Sequence, residues 1–330
     1  MKNKEKIHRT TIGGQALFEG IMMKGPNETA MAVRKKDGDI VVESTPAGAK
    51  EWYNKAFFIR GSVNFISQLT EGYKYLSRSM ELSGALDDDG EEEPSKFEKW
   101  LDEKFGDKIT GVVMGIAMVL AIALAVVLFM FVPTWLFMLL QMAFGETDIS
   151  AFQSAFEGVL KIIIFVSYMA VVSVMKDIRR TYEYHGAEHK TIACYERGLP
   201  LTVENVKPQR RFHPRCGTSF IFLVLIISIL VYSVVPITNT FFIDTFAVSE
   251  TIAMILRVAC KILLLPVIVG ISYEVIRIAG RYDNIVTRII SAPGLALQRL
   301  TTKEPDDKQI EVAIAAMNKV IPENKESDKW

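Results

Sequence analysis

An uninterrupted apolar run constrains this chain more than any other feature. It begins at Ile109 and reaches Gly145 without a charged residue. About 20 residues of α-helix already cross the ~30 Å hydrocarbon layer of a bilayer, so the run is longer than one crossing needs. Because proline interrupts helical hydrogen bonding, Pro133 is expected to end the span and leave residues 135–144 at the membrane interface. A hairpin within the run is the alternative.

Three further apolar segments follow, at residues 158–175, 218–237 and 251–273. Together with the first run they predict an α-helical polytopic membrane protein with four transmembrane helices. Lys161, Arg257 and Lys261 lie within these segments. Their long side chains are expected to extend to the outer headgroups or to contact a lipid phosphate, and a transport role is the alternative.

Lysine and arginine predict the orientation of the spans. The loop 176–217 contains many of them, whereas residues 146–157 and 238–250 contain none. By the positive-inside rule this loop and both termini are cytosolic. The polar start of the chain predicts no cleavable signal peptide. Lys+Arg and Asp+Glu balance at 38 each, so nucleic acid is not an expected partner, and the three cysteines show no disulfide spacing.

The remaining segments complete a predicted domain order. Residues 1–83 are expected to form a small α+β cytosolic domain, in which Asp37-Gly38 marks a β-hairpin and residues 57–82 have the periodicity of an amphipathic helix. Residues 84–107 form an acidic linker. The membrane domain comprises residues 108–276, including the loop 176–217, and residues 277–330 form a cytosolic helical region.

The C-terminal region carries its own helix signal. Pro305-Asp306-Asp307 is typical of a helix start. An apolar stripe then recurs at helical spacing and comprises Ile310, Ala313, Ile314, Met317 and Val320. We expect this helix to pack on the cytosolic domain, and binding of a protein partner is the alternative.

A histidine motif provides the chemical hypothesis. His185, Glu188 and His189 share one face of a helix, since offsets of three and four residues bring side chains together. The pattern H-x-x-E-H is that of inverted zincins, in which the histidines bind a metal and the glutamate activates water. A connecting helix in which these side chains only form hydrogen bonds is the alternative.

A second cluster lies in the same basic loop. His213 and Cys216 resemble half of a zinc knuckle. The predicted ligands of Zn²⁺, or of another divalent metal, are therefore His185, His189, His213 and Cys216. With three protein ligands Glu188 would be the general base, and with four the site would be structural. Glu274 and Glu311 are weaker ligand candidates, and a thiol nucleophile at Cys194 or Cys216 is a separate option.

Four ordered motifs occur at residues 13–26, at residues 184–190, at residues 213–220 and in a C-terminal stretch made of Pro293-Gly294, residues 297–307 and residues 311–314. Together they resemble the YqhQ-like family of bacterial membrane proteins. The family has no established activity, and its members are described as predicted metal-dependent enzymes. The resemblance implies a multi-pass protein of the bacterial inner membrane.

Two functions therefore remain open from the sequence. The first is a zinc-dependent hydrolase with a cytosolic site, in which Arg210, Arg211 and Arg215 attract an anionic substrate such as a phospholipid or a peptide carboxylate. The second is a membrane scaffold whose histidine cluster is a structural metal site or a hydrogen-bonded core. In both, the lipid bilayer is the expected partner, with protein partners at the cytosolic helices.

Overall fold

The computed structural model describes residues 8–48, 56–85, 109–145, 147, 149, 152–235, 237–282 and 284–329. Most of the predicted acidic linker, residues 86–107, lies outside these ranges. The described strands are β1 (Gly13–Leu17), β2 (Gly20–Lys24), β3 (Glu28–Arg34) and β4 (Ile40–Pro46). The helices are α1 (Ile59–Leu82), α2 (Ile109–Val126), α3 (Val132–Phe144), α4 (Gln153–Val172), α5 (Lys176–Glu196), α6 (Val203–Val206), α7 (Gly217–Val234), α8 (Asn239–Phe246), α9 (Glu250–Arg281), α10 (Ile285–Thr301) and α11 (Asp307–Val320).

The described residues fall into two compact units. One comprises those within 1–86, 166–228 and 264–330, and the other those within 87–165 and 229–263. The first unit therefore brings together the N-terminal segment, the histidine-containing loop and the C-terminal segment, which are far apart in sequence.

A four-stranded antiparallel sheet in the order β1-β2-β3-β4 organises the first unit. The predicted hairpin at Asp37-Gly38 is confirmed as the β3–β4 connection, where Arg34 pairs with Ile40 and Gly38 has φ 95°. The sheet has more strands than the predicted single hairpin, because residues 13–24 form a second one. Its turn holds Glu19 at φ 49°, a left-handed conformation that few non-glycine residues adopt.

Each face of this sheet packs against helices. Since side chains alternate along a strand, Ile21 and Met23 lie on one face and Met22 lies on the other. The first face packs against α5 and α11, and the second against Tyr75, Leu76 and Leu82 at the C-terminal end of α1. The predicted amphipathic helix is thus confirmed, and its C-terminal end packs on the sheet, a choice that the sequence left open against the membrane surface.

Helix α11 confirms the predicted helix start and the packing of its apolar stripe. It starts with a capping box in which Asp306 accepts from the backbone of Gln309, and Gln309 accepts from the backbone of Asp306. Ile310, Ala313 and Met317 have 0% exposed surface. The apolar stripe is therefore covered by the sheet and by α5, so it is not exposed for a protein partner.

Four helical stretches are long and apolar enough to cross a membrane. They are Gly115–Phe144, Gln153–Val172, Gly217–Phe246 and Glu250–Arg281. The predicted number of spans agrees with this finding, which rests on length and composition.

The expectation that Pro133 ends the first span is wrong. A π-helical turn, Val127–Phe131, joins α2 to α3, and the helix continues through Pro133 to Phe144. A π-helical turn shifts the hydrogen-bond register, so the missing N–H and the ring of proline are accommodated without a helix end. The hydroxyl of Thr134 also donates to the carbonyl of Met130 at 2.9 Å.

Candidate metal centre

Helix α5 carries the predicted motif through the interior of the first unit. Its residues from Gly186 to Ile192 are buried. Gly186 allows close approach of the C-terminal segment, because a Cβ at this position would overlap the carbonyl oxygen of Lys303. The backbone N–H of Lys303 donates to the carbonyl of Tyr182 at 2.8 Å. This packing brings the end of α10 beside His185.

Hydrogen bonds to carbonyl oxygens orient both imidazoles of the motif. Nδ1 of His185 lies 2.8 Å from the carbonyl oxygen of Thr301, and Nδ1 of His189 lies 2.5 Å from that of Arg211. A carbonyl only accepts, so each Nδ1 is the donor and carries the proton. Metal-binding histidines are commonly held in this way by their other nitrogen. The Nε2 atoms are thereby left as candidate ligand atoms.

Cys216 completes a group of three candidate ligands. Its Sγ lies 3.2 Å from Nε2 of His185, and the rings of His185 and His189 are 4.4 Å apart between centroids. One ligand atom from each of His185, His189 and Cys216 lies within 4.8 Å of the others. The spacing and the donor types fit a divalent ion held by two imidazole nitrogens and a thiolate.

The electrostatics of the three side chains favour a thiolate. Burial raises the pKa of Cys216, but His185 and His189 outweigh burial and hold this pKa well below its usual range. Burial lowers the pKa of His185, while Cys216 and Glu188 raise it more, to about 9. The thiolate form is also the form in which cysteine binds a metal.

Glu188 places a carboxylate beside this group. The side chain is 4% exposed, and its Oε2 has no hydrogen-bond partner among the described residues. Burial raises the pKa of Glu188, and His189 and His185 partly offset that increase. Gly14 in β1 lies against the carboxylate, since a Cβ at Gly14 would be 3.0 Å from Cδ of Glu188. A buried acceptor without a partner costs free energy of folding. A bound cation or polar ligand beside Glu188 would remove that cost.

Gln298 is a positioning residue that the sequence analysis missed. It is 0% exposed. Its Oε1 accepts from the backbone N–H of His213 at 2.8 Å, and its Nε2 donates to the carbonyl of His213 at 2.7 Å and to the hydroxyl of Ser219 at 2.9 Å. The amide thus fixes both sides of the segment that carries Cys216. The sequence offered one sign of this role, because Gln298 lies within the family motif at residues 297–307.

His213 lies beside the group but outside it. Its ring centroid is 5.6 Å from that of His189, while its Nε2 lies 3.2 Å from Nη2 of Arg215 and 4.0 Å from Oε2 of Glu196. Burial and the charge of Arg215 hold the pKa of His213 well below its usual value. The structure therefore brings together three of the four predicted ligands, and His213 remains a neighbouring neutral imidazole.

The predicted substrate arginines differ in their surroundings. Arg210 is exposed, Arg211 forms an ion pair with Glu304 at 3.1 Å, and Arg215 forms one with Glu196. The weaker ligand candidates are also engaged elsewhere, because Glu274 pairs with Arg60 and Glu311 pairs with Arg34. Cys194 is buried and donates toward the carbonyls of Leu199 and Pro200, away from the histidines.

Comparison with known proteins identifies the family. Residues 57–323 match the family described as "Protein of unknown function (DUF1385)". The chain belongs to this family. This DUF1385 protein is also similar to the uncharacterized protein YqhQ of Bacillus subtilis strain 168, with 36% identity over 315 residues that cover 94% of this chain and 92% of that protein. The resemblance to the YqhQ-like family is thus confirmed. No solved structure matches the chain.

The matched range places the candidate site within the DUF1385 region. It contains α5, Cys216 and Gln298, whereas Gly14 and the whole sheet precede it. The strand that contacts Glu188 therefore lies outside the matched range but inside the compact unit that holds the candidate ligands.

Replacement of Gly14 by alanine is expected to destabilise the fold around Glu188. A Cβ at this position would lie 2.5 Å from the carbonyl oxygen of Met22 and 3.0 Å from Cδ of Glu188. Overpacking of this kind costs about 1–3 kcal/mol. Chemical denaturation of the detergent-solubilised protein measures the change. Gly13→Ala is the matched control, because a Cβ at Gly13 meets nothing within 4 Å; equal effects of the two variants would contradict this account of Gly14.

Proposed function

We propose that this DUF1385 protein is a zinc-dependent hydrolase of the bacterial cytoplasmic membrane, with its site on the cytosolic side. The observation that carries the proposal is the convergence of His185, His189 and Cys216 within 4.8 Å. Glu188 supplies a second argument, because its buried Oε2 has no partner among the described residues. Three ligands and an adjacent carboxylate are the usual components of a catalytic zinc site.

The donor set favours zinc among divalent metals. A thiolate with two imidazoles suits Zn²⁺, whereas Mg²⁺ and Ca²⁺ prefer oxygen donors. A bound zinc ion supplies Lewis-acid chemistry and lowers the pKa of coordinated water towards ~7. The chain itself contributes orientation, since the carbonyls of Thr301 and Arg211 hold the two imidazoles in place.

Glu188 is proposed to act as the general base. Its Oε2 is the atom that would accept a proton, because it is buried and has no hydrogen-bond partner among the described residues. Burial of Glu188 and His189, which are 4% and 2% exposed, keeps bulk water from competing for that oxygen. Arg210, Arg211 and Arg215 would attract an anionic substrate such as a phospholipid or a peptide carboxylate.

The orientation in the membrane follows from charge. The loop 176–217 carries the basic residues, so the positive-inside rule places it in the cytosol together with both termini. The candidate ligands lie in this loop or at its end, which is why the proposed site faces the cytosol. Protease accessibility of the loop in inverted membrane vesicles, but not in intact spheroplasts, would support this orientation.

Glu188→Gln is the direct test of the proposed reaction. The variant keeps the shape of the side chain and removes the base, so turnover should fall about 10²–10⁴-fold while the zinc content stays near that of the wild type. Both proteins are assayed in parallel on phosphoester, carboxylester and peptide substrates. Glu183→Gln is the matched control, because Glu183 lies on the same helix and its carboxylate meets Arg179 and Gln309.

Two results would contradict the assignment of Glu188 as the base. One is loss of zinc from Glu188→Gln, which would make Glu188 a ligand. The other is unchanged turnover of a substrate that wild type hydrolyses and that His189→Ala does not.

A structural metal site is the second candidate function. The burial of the cluster favours it, as does the fact that α5, the segment ending at Cys216 and the end of α10 meet there. In this case the site joins segments of a membrane scaffold that binds protein partners. Glu188→Gln would then leave thermal stability and membrane yield nearly unchanged, whereas His185→Ala would lower both. A stable, well-expressed His185→Ala protein would contradict the scaffold.

A further inference from the structure

A buried ion cluster lies in the second compact unit. Glu157 near the start of α4 is 2% exposed, and Arg257 and Lys261 of α9 are 1% and 3% exposed. Nη2 of Arg257 lies 2.5 Å from Oε1 of Glu157, and Nζ of Lys261 lies 2.6 Å from Oε2. The interpretation that Arg257 and Lys261 extend outward to headgroups is therefore wrong, because both side chains turn inward to a carboxylate.

A third cation lies at the same place. Lys161, one helical turn after Glu157, is 7% exposed. Its Nζ lies 5.4 Å from the ring centroid of Tyr232, and Nζ of Lys261 lies at the same distance from that ring. In the part of the chain that the structure describes, no carboxylate pairs with Lys161. The cluster thus places three basic side chains around one acidic side chain.

Glu157 has little capacity left for the third cation. Its Oε1 accepts from Arg257 and from the amide of Gln153 at 3.1 Å and lies 3.1 Å from the hydroxyl of Thr134, while its Oε2 accepts from Lys261. Two donors remain unused among the described residues. One is Nη1 of Arg257, which is fully buried without a partner, and the other is the ammonium of Lys161, whose described contact is the ring of Tyr232.

Lys161 is a buried cation without an ion pair among the described residues, and such a cation in an apolar helix bundle is strongly unfavourable. A pair of unused donors, one on a guanidinium and one on an ammonium, calls for an acceptor with several oxygens and a negative charge. Nε and Nη2 of Arg257 already donate to Ile237 and Glu157, so Nη1 would donate to one phosphate oxygen, and lysine adds a point charge. Chloride would balance the positive charge, but it is a single atom and has no separate oxygens that could each accept a hydrogen bond from a different side chain.

We propose that Arg257, Lys161 and Lys261 form a binding site for a phosphate group. The group belongs either to inorganic phosphate or to an anionic lipid, because both present the same oxygens. Glu157 lies in the second turn of its helix, Gln153–Val172, and Arg257 lies about two turns into Glu250–Arg281, so the site lies in the N-terminal half of both helices. The proposal does not depend on the metal centre, whose residues belong to the other unit.

The test compares the full-length protein with Lys161→Met in two lipid settings. Thermal unfolding is measured in phosphatidylcholine nanodiscs with increasing inorganic phosphate, and in nanodiscs containing phosphatidylglycerol without added phosphate. Lys161→Met removes a charge that makes no hydrogen bond to the described residues, so the variant should fold. Lys24→Met removes an exposed lysine and is the control.

Wild type and Lys24→Met should be stabilised by phosphate or by phosphatidylglycerol, and Lys161→Met should bind at least about tenfold more weakly. A response to phosphate identifies a free anion, and a response to phosphatidylglycerol alone identifies a lipid. The proposal is overturned if wild type responds to neither, or if Lys161→Met responds as wild type does.

Discussion

His189→Ala is expected to remove the metal from the protein. Wild type purified without a histidine tag should carry about one zinc ion per chain, and the variant close to none. Loss of a hydrogen-bond partner of a metal ligand already weakens affinity about 10–100-fold, so loss of the ligand itself should weaken it more. Elemental analysis of the detergent-purified proteins measures the content. A variant with the same zinc content as wild type would exclude His189 as a ligand.

The chain offers a matched control for this experiment. His8 is the one histidine outside the two motifs, and it lies beside Asp328 at 2.8 Å in the same compact unit. His8→Ala should keep the full metal content. Loss of zinc from both variants would indicate general unfolding, which circular dichroism would detect.

Glu157→Gln is expected to destabilise the second unit strongly. The substitution keeps the shape of the side chain but leaves Arg257 and Lys261 without the carboxylate that both contact. Breaking a buried ion pair by removing one partner costs about 3–5 kcal/mol. Reversible unfolding in mixed detergent micelles measures the free energy change.

An exposed ion pair serves as the control for Glu157. Glu43 pairs with Arg78 at 2.7 Å, and both side chains are well exposed. Glu43→Gln should change the free energy of unfolding by less than about 1 kcal/mol. A similarly small effect of Glu157→Gln would contradict the view that its carboxylate holds the buried cations. The double variant Glu157→Gln/Lys261→Met should recover part of the loss, because one unpaired charge is removed with its partner.

Local periodicity explains the parts of the fold that the sequence predicted. The Asp37-Gly38 turn, the stripe of α11 and the four apolar stretches each depend on neighbours within a few residues. The shared face of His185, Glu188 and His189 follows in the same way from helical geometry. Their proximity to Cys216 is a tertiary contact, which the sequence suggested only through the occurrence of both motifs in one loop.

Other features could not be read from local patterns. Glu157 precedes the apolar segment expected at residues 158–175, so a charge that belongs to the helix was assigned to a loop. Its partner Arg257 is 100 residues away in sequence, and only the packing of α4 on α9 shows that the charges meet. Pro133 was expected to end a helix because the rule for proline does not foresee a π-helical turn in the residues before it.

Gln298 orders the site together with the candidate ligands, because its amide contacts both His213 and Ser219. Nothing in the composition of α10 marks a glutamine as important, and its role appears only when its amide contacts the backbone of His213 85 residues away. Side chains that position others through backbone contacts leave no periodic signal. The contacts of the Thr301 and Arg211 carbonyls with the two imidazoles could not be predicted from the sequence either, because every residue has a backbone carbonyl.

The central claim is that His185, His189 and Cys216 bind one zinc ion. Zinc K-edge X-ray absorption of the tag-free wild type tests it most directly, since sulfur and nitrogen ligands differ in distance. We expect one sulfur at about 2.3 Å and at least two imidazole nitrogens at about 2.0–2.1 Å from the zinc, with the sulfur lost in Cys216→Ser. A bound zinc without a sulfur ligand, or no retained zinc after addition of the metal, would contradict it.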